Sequence, residues 1–162
     1  MKNTSEEFAV GKNNIEWIGS NFKEHFYGTT FTPAKSYGLQ TKTLEHPMLD
    51  KEILEKFKPQ AVTLADVLAH LAVTDKSKWY IYYVNDSKGV LWAVSAYWFS
   101  DDGGWSVYAY SVGSPDGWRG GGRVVSREFS DIVPSDSDPL KSLTLRVEKL
   151  EKLFNPESLT TE

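Results

Sequence analysis

At 162 residues, with 40% hydrophobic and 25% charged side chains, the chain suits one domain large enough to bury a core without covalent staples. The absence of cysteine rules out disulfides, a thiol nucleophile and thiolate metal sites, and three histidines leave little for any other metal centre. Net charge is −4, with 9 basic and 10 acidic residues over 1–77, 5 and 5 over 78–130, and 4 and 7 over 131–162, so no basic region exists to capture nucleic acid by bulk charge.

The N-terminus, MKNTSEEFAVGKNN, has neither the basic start nor the apolar centre of a signal peptide. No apolar stretch is long enough to span a bilayer, so a soluble cytoplasmic protein without a membrane partner is expected. Thr4 and Glu7 have capping-box spacing, but Gly11 follows too soon for a long helix, and residues 1–11 are expected to fray. A single α+β domain is expected over 12–154. Ile15, Ile18, Phe22 and Phe26, at steps of three and four with Trp17 on their flank, predict a helix over 12–26. Tyr27 to Leu44 is rich in Gly, Thr and Pro, and its segment SYGLQTKTL reads as a short edge strand or an extended crossing. Asp50 before Ile53, Leu54 and Phe57 predicts a helix over 50–57, stopped by Lys58-Pro59. Thr63, with Asp66 three residues on, opens a helix over 64–72 whose stripe is Leu64, Val67, Leu68 and Leu71.

Residues 78–127 hold five of the six tryptophans and alternate as an antiparallel β-meander of three to four strands, at about 78–84, 89–99, 104–112 and 122–127. IVPSDSDPL then reads as a linker. Asp138-Pro139 starts an amphipathic helix over 139–154, with Leu140, Leu143, Val147, Leu150 and Phe154 in its stripe, and 155–162 is a polar tail. Its two heptads also fit a dimer seam, but burial against the sheet explains the same residues, so a monomer is favoured.

Four-residue loops at 85–88 and 100–103 would place Trp79, Ile81, Trp92, Val94, Trp98, Trp105 and Val107 on one face of the meander. The other face would carry Tyr80, Tyr82, Leu91, Ala93, Ser95, Tyr97, Ser106, Tyr108 and Tyr110. Burying a large apolar side chain is worth about 2–3 kcal/mol, so the tryptophan face should be the one the helices cover. The partition rests on loop parity, because a slip of one residue moves a whole strand to the other face.

Chemistry-bearing spacing is scarce. The loop over 113–122, GSPDGWRGGG, matches neither dinucleotide-binding nor P-loop patterns and opens no helix, so it reads as a long hairpin connection with Trp118 folded back as a plug, or as a contact tip. His25, His46 and His70 fall on separate elements without ligand spacing, and Asp101-Asp102 before Gly103-Gly104 reads as turn chemistry, so neither a metal nor a cofactor is expected. The candidate surface is therefore Tyr80, Tyr82, Tyr97, Tyr108 and Tyr110 with Trp118, Arg119, Arg123 and Arg127. This mixed aromatic and cationic face would take a protein, single-stranded nucleic acid or glycan partner. A non-catalytic binding module is the first expectation. The alternative is a small hydrolase or nuclease using His46 or His70 with a carboxylate and an arginine.

Tyr82, Tyr83, Val84, Gly89, Val90, Leu91, Trp92, Ala93 and Val94, followed by Trp105, Trp118, Arg123, Val124, Ser126 and Arg127, span about a third of the chain. In this pattern the meander resembles short uncharacterised bacterial proteins. The resemblance implies a self-contained small domain and no particular substrate.

Overall fold

β-Branched and aromatic residues crowd the segment from Trp79 to Ser126, and there the backbone forms the centre of a mixed sheet. The computed structural model describes residues 1–33, 38–101 and 103–129, and the elements below all lie in the unit Met1–Glu128. In chain order these are β1 (Lys2–Asn3), α1 (Thr4–Glu7), β2 (Ile15–Ile18), α2 (Ser20–Phe26), β3 (Thr30–Phe31), β4 (Gln40–Thr43), α3 (Asp50–Lys56), α4 (Leu64–Leu71), β5 (Trp79–Asn85), β6 (Leu91–Phe99), β7 (Gly104–Ser111) and β8 (Arg123–Ser126). β1 and β3 form a small antiparallel pair, and six strands form the main sheet in the order β2-β7-β6-β5-β8-β4. The class is α+β. The antiparallel meander β5-β6-β7 is its middle, extended by parallel pairing of β2 on β7 and β8 on β5, and by the antiparallel edge strand β4.

The inner face is built from Tyr80, Tyr82, Val84, Val94, Ala96, Trp105, Val107, Ala109 and Val125, with Trp92 and Trp98 packed against it. Phe8 follows α1, Phe22 and Phe26 come from α2, and Leu64, Val67 and Leu71 come from α4, and together they close this core. α4 starts where expected because Thr63 and Asp66 cap each other reciprocally, side chain to backbone N–H at 3.1 Å in both directions. On the outer face Ile81, Tyr83, Ala93 and Val124 are also buried, and α3 begins above them, where Tyr83 donates its hydroxyl hydrogen to Asp50. Helices α3 and α4 match the expected 50–57 and 64–72.

Four expectations are corrected. The predicted helix over 12–26 is a strand followed by a shorter helix. Asn13 and Asn14 have φ of 55° and 61°, which breaks helical geometry before Ile15, and a bulge between Ile15 and Trp17 turns both Ile15 and Ile18 inward. The three-residue step that imitates a helix is a bulged strand. Residues 1–11 are not frayed at their core-facing positions, since Phe8 is wholly buried against Phe22 at 4.9 Å between ring centroids, and Thr4 is fully buried and bonded to Thr29. The segment over 113–122 is not a hairpin. β8 runs parallel to β5, so the chain returns across the outer face before entering it.

The fourth correction concerns register. β6 and β7 pair as predicted, with Phe99 opposite Gly104. β5 and β6 do not, because Asn85 lies opposite Leu91 and the loop between them has five residues. Asp86 sets that length. Its backbone N–H bonds Val90 O at 2.8 Å, and its Oδ1 accepts the N–H groups of Lys88 and Val90 at 2.9 and 3.0 Å. Odd parity turns β5 over, so Tyr80 and Tyr82 become core and Trp79 joins the outer face. The predicted helix over 139–154, its dimer seam and the 155–162 tail lie outside the described residues. Among those described, no helix is long and apolar enough to cross a membrane.

Candidate functional site

Outer-face positions of β6 and β7 place rings around small residues. Tyr97 and Tyr108 stack at 6.1 Å with planes 11° apart, Tyr108 and Tyr110 stack at 6.1 Å and 28°, and the side chains beneath them are Ala93, Ser95 and Ser106. Phe99 continues the row at one end, 6.5 Å from Tyr97. At the other end the crossing segment lays Trp118 against Tyr110 at 5.4 Å and Trp79 at 5.9 Å. The result is an unbroken row of six rings, Phe99-Tyr97-Tyr108-Tyr110-Trp118-Trp79. Phe99, Tyr97 and Tyr110 are 46%, 39% and 42% exposed, and Trp17 on the adjoining β2 is 55% exposed.

Trp118 is held rigidly. Its backbone makes two hydrogen bonds with Met48, at 2.8 and 3.1 Å, and its indole N–H donates to Asp50 Oδ1 at 2.7 Å. The same oxygen accepts the Tyr83 hydroxyl at 2.7 Å. Asp50 is 2% exposed, and burial raises its carboxyl above the ordinary range although both hydrogen bonds act the other way. A hollow of about 230 Å3 lies beside it, lined by Asp50, Tyr110, Ser114, Asp116, Gly117 and Trp118. On the far side of Tyr110 a second hollow, of about 360 Å3, is bounded by Trp17, Gly19 and Tyr108. Burial first, then the hydrogen bond that it donates to Tyr97, pushes the Tyr108 hydroxyl up to about 12, and burial raises that of Tyr110. Both rings therefore stay neutral at physiological pH, presenting apolar faces and uncharged hydroxyls.

The structure thus brings together Tyr97, Tyr108, Tyr110 and Trp118, and separates the other candidates from them. Tyr80 and Tyr82 are 1% and 0% exposed on the inner face. Arg123 stands opposite Tyr80, and its Nε is enclosed with no hydrogen-bond partner among the described residues. Arg127 bonds the buried carboxylate of Asp66. Arg119 is exposed on the crossing segment. His70 is buried, with Nδ1 2.7 Å from the Tyr82 hydroxyl, and burial depresses its imidazole to about 4. His46 is exposed and lines a different hollow with Glu45, Lys42 and Lys56. Among the described residues, no group of three or more ligating side chains is placed to hold a metal ion.

Asp50, Trp79, Trp17, Phe99 and Asp116 belong to the surface but were not singled out from sequence. Asp50 reads as the start of a helix and Trp79 as core. The one usable signal was the Asn85-Asp86 pair, whose turn chemistry permits an odd loop as readily as an even one. The chain matches no family model, no curated protein and no solved structure.

Proposed function

We propose that this protein is a non-catalytic binding module that takes an extended polypeptide segment across the row from Phe99 to Trp118. The observation that carries the reading is the row itself, six contiguous rings on a rigid sheet with its central part left open to solvent. Contiguous exposed aromatic surface mounted on strands is the usual composition of a recognition patch. Alternate side chains of an extended peptide recur about every 6.6 Å, close to the 6.1 Å ring spacing. Charge favours a polypeptide over nucleic acid. Arg127 is engaged with Asp66 and Arg123 belongs to the opposite face, while Asp50 and Asp116 stand at the end of the row, where phosphates would be repelled.

Selection of displayed random peptides on the wild-type protein, counter-selected on a Tyr97→Ser/Tyr110→Ser double variant, tests this. Peptides should enrich, and their affinity should fall by at least about tenfold on the variant, whose melting temperature stays near wild type. Equal binding to both proteins, or enrichment of single-stranded DNA or glycans in place of peptides, would overturn the reading.

A further inference from the structure

We infer that the hollow between Tyr110 and Trp118 is a receptor for an ammonium group, of the kind a lysine side chain carries. The inference deepens the peptide-binding reading and rests on it for the source of that group. The two rings stand at 84° to one another with centroids 5.4 Å apart, forming two walls at right angles. Such walls offer π-electron density from two directions, the arrangement that favours a cation over a neutral group of equal size. The lining contains two carboxylates and two hydroxyls, those of Ser114 and Tyr110, and no lysine, arginine or histidine.

Asp50 is the decisive member. Both of its hydrogen bonds fall on Oδ1, and Oδ2 receives none among the described residues. Oδ2 is nevertheless not sealed away, because Arg123 Nε is the one fully enclosed side-chain polar atom there that lacks a partner. A buried carboxylate that lines a hollow and has one oxygen without a hydrogen bond is unfavourable unless something positive completes it. No ion pair reaches Asp50 or Asp116 among the described residues. The hollow, at about 230 Å3, is smaller than an ordinary ligand site and suits a head group rather than a whole cofactor. Asp50 in this view has two roles on two oxygens, since Oδ1 fixes the Trp118 wall and Oδ2 meets the charge.

The Trp118 indole N–H, bonded to Asp50, is a built-in reporter. In 15N-labelled full-length protein at pH 7 its resonance should shift saturably on titration with N-acetyl-lysine N-methylamide or tetramethylammonium chloride. It should stay still with the uncharged isostere 3,3-dimethyl-1-butanol. Asp50→Asn should weaken the ammonium response at least about tenfold, and Tyr110→Leu, which leaves the Asp50 hydrogen bonds intact, should weaken it as well. An equal response to the neutral isostere, or none to either cation, overturns the inference. The two readings fail separately. If selected peptides bind the row but carry no basic residue at a fixed position, peptide binding stands and the ammonium receptor falls. If the cations shift Trp118 while no peptide is enriched, the receptor stands and its polypeptide source falls.

Discussion

Tyr80 and Tyr97 sit in adjacent strands, yet one is 1% exposed in the inner core and the other 39% exposed on the open row. The Tyr80 hydroxyl is committed to Asp75 O and Thr74, both at 2.8 Å, and its ring meets His70 edge to face at 5.0 Å. Tyr80→Ser should therefore cost about 3–5 kcal/mol in denaturant titrations, and Tyr97→Ser less than about 1 kcal/mol. Equal losses would mean that the odd turn at 86–90 is wrong. His70 gives a second residue-scale test. Its folded imidazole titrates at about 4 against an ordinary 6.5, because burial disfavours the charged ring among Tyr80, Tyr82 and the α4 backbone. As pH falls, the unfolded chain takes up this proton from 6.5 downward and the folded chain only near 4. Stability from this group is thus complete above 6.5 and lost progressively toward 4. The loss should be about 2 kcal/mol after allowance for partial solvent contact. His70→Gln should show a shallower fall in unfolding free energy across that window, and an unchanged slope would place the imidazole in contact with water. Asp50 lay beyond sequence reading because its importance comes from Tyr83 and Trp118, 33 and 68 residues away.

Elements were legible where local chemistry decides them and illegible where a neighbour does. The Thr63–Asp66 box and the alternation of β6 and β7 are local, and both were read correctly. The strand at Ile15–Ile18 was not, because its bulge makes sense only against β7. Likewise the glycines of 113–122 read as backbone flexibility, which Gly121 uses with its φ of 99°, whereas Gly122 and Gly117 are needed for close approach. A Cβ on Gly122 would lie 2.4 Å from the Trp79 ring, and one on Gly117 would lie 3.2 Å from Met48 O. Gly122→Ala should displace Trp79 and, through their 5.9 Å contact, Trp118. The expected cost is about 1–3 kcal/mol, accompanied by a shift of the Trp118 indole resonance. If stability falls and that resonance does not move, the two tryptophans are not coupled.

At the scale of the whole molecule, the sheet closes only because chain segments far apart in sequence meet, β2 on β7 and β4 on β8, with the first residues of the chain sealing one end of the inner core. Phe8 is the seal. It touches Phe22 at 4.9 Å and Phe31 at 6.4 Å, and the Tyr27 hydroxyl donates to its carbonyl at 3.1 Å. Around it β1 pairs with β3 and Thr4 N–H bonds Thr29 O at 3.0 Å, so the segment is tied by backbone as well as by packing. A domain of this size holds about 5–15 kcal/mol in total, and replacing one fully buried phenylalanine with alanine removes about 3–5 of it. Phe8→Ala should lower the melting temperature by roughly 10 °C, and deletion of residues 1–11 should lower it further by exposing Phe22 and Phe31 as well. The loss should appear in one cooperative transition, because Phe8 belongs to the same core as Trp105 and Val107 on β7. A deletion that leaves the melting temperature unchanged would restore the frayed terminus that composition alone predicts. A Phe8→Ala transition split in two would show the N-terminal segment and the sheet to be separate folding units.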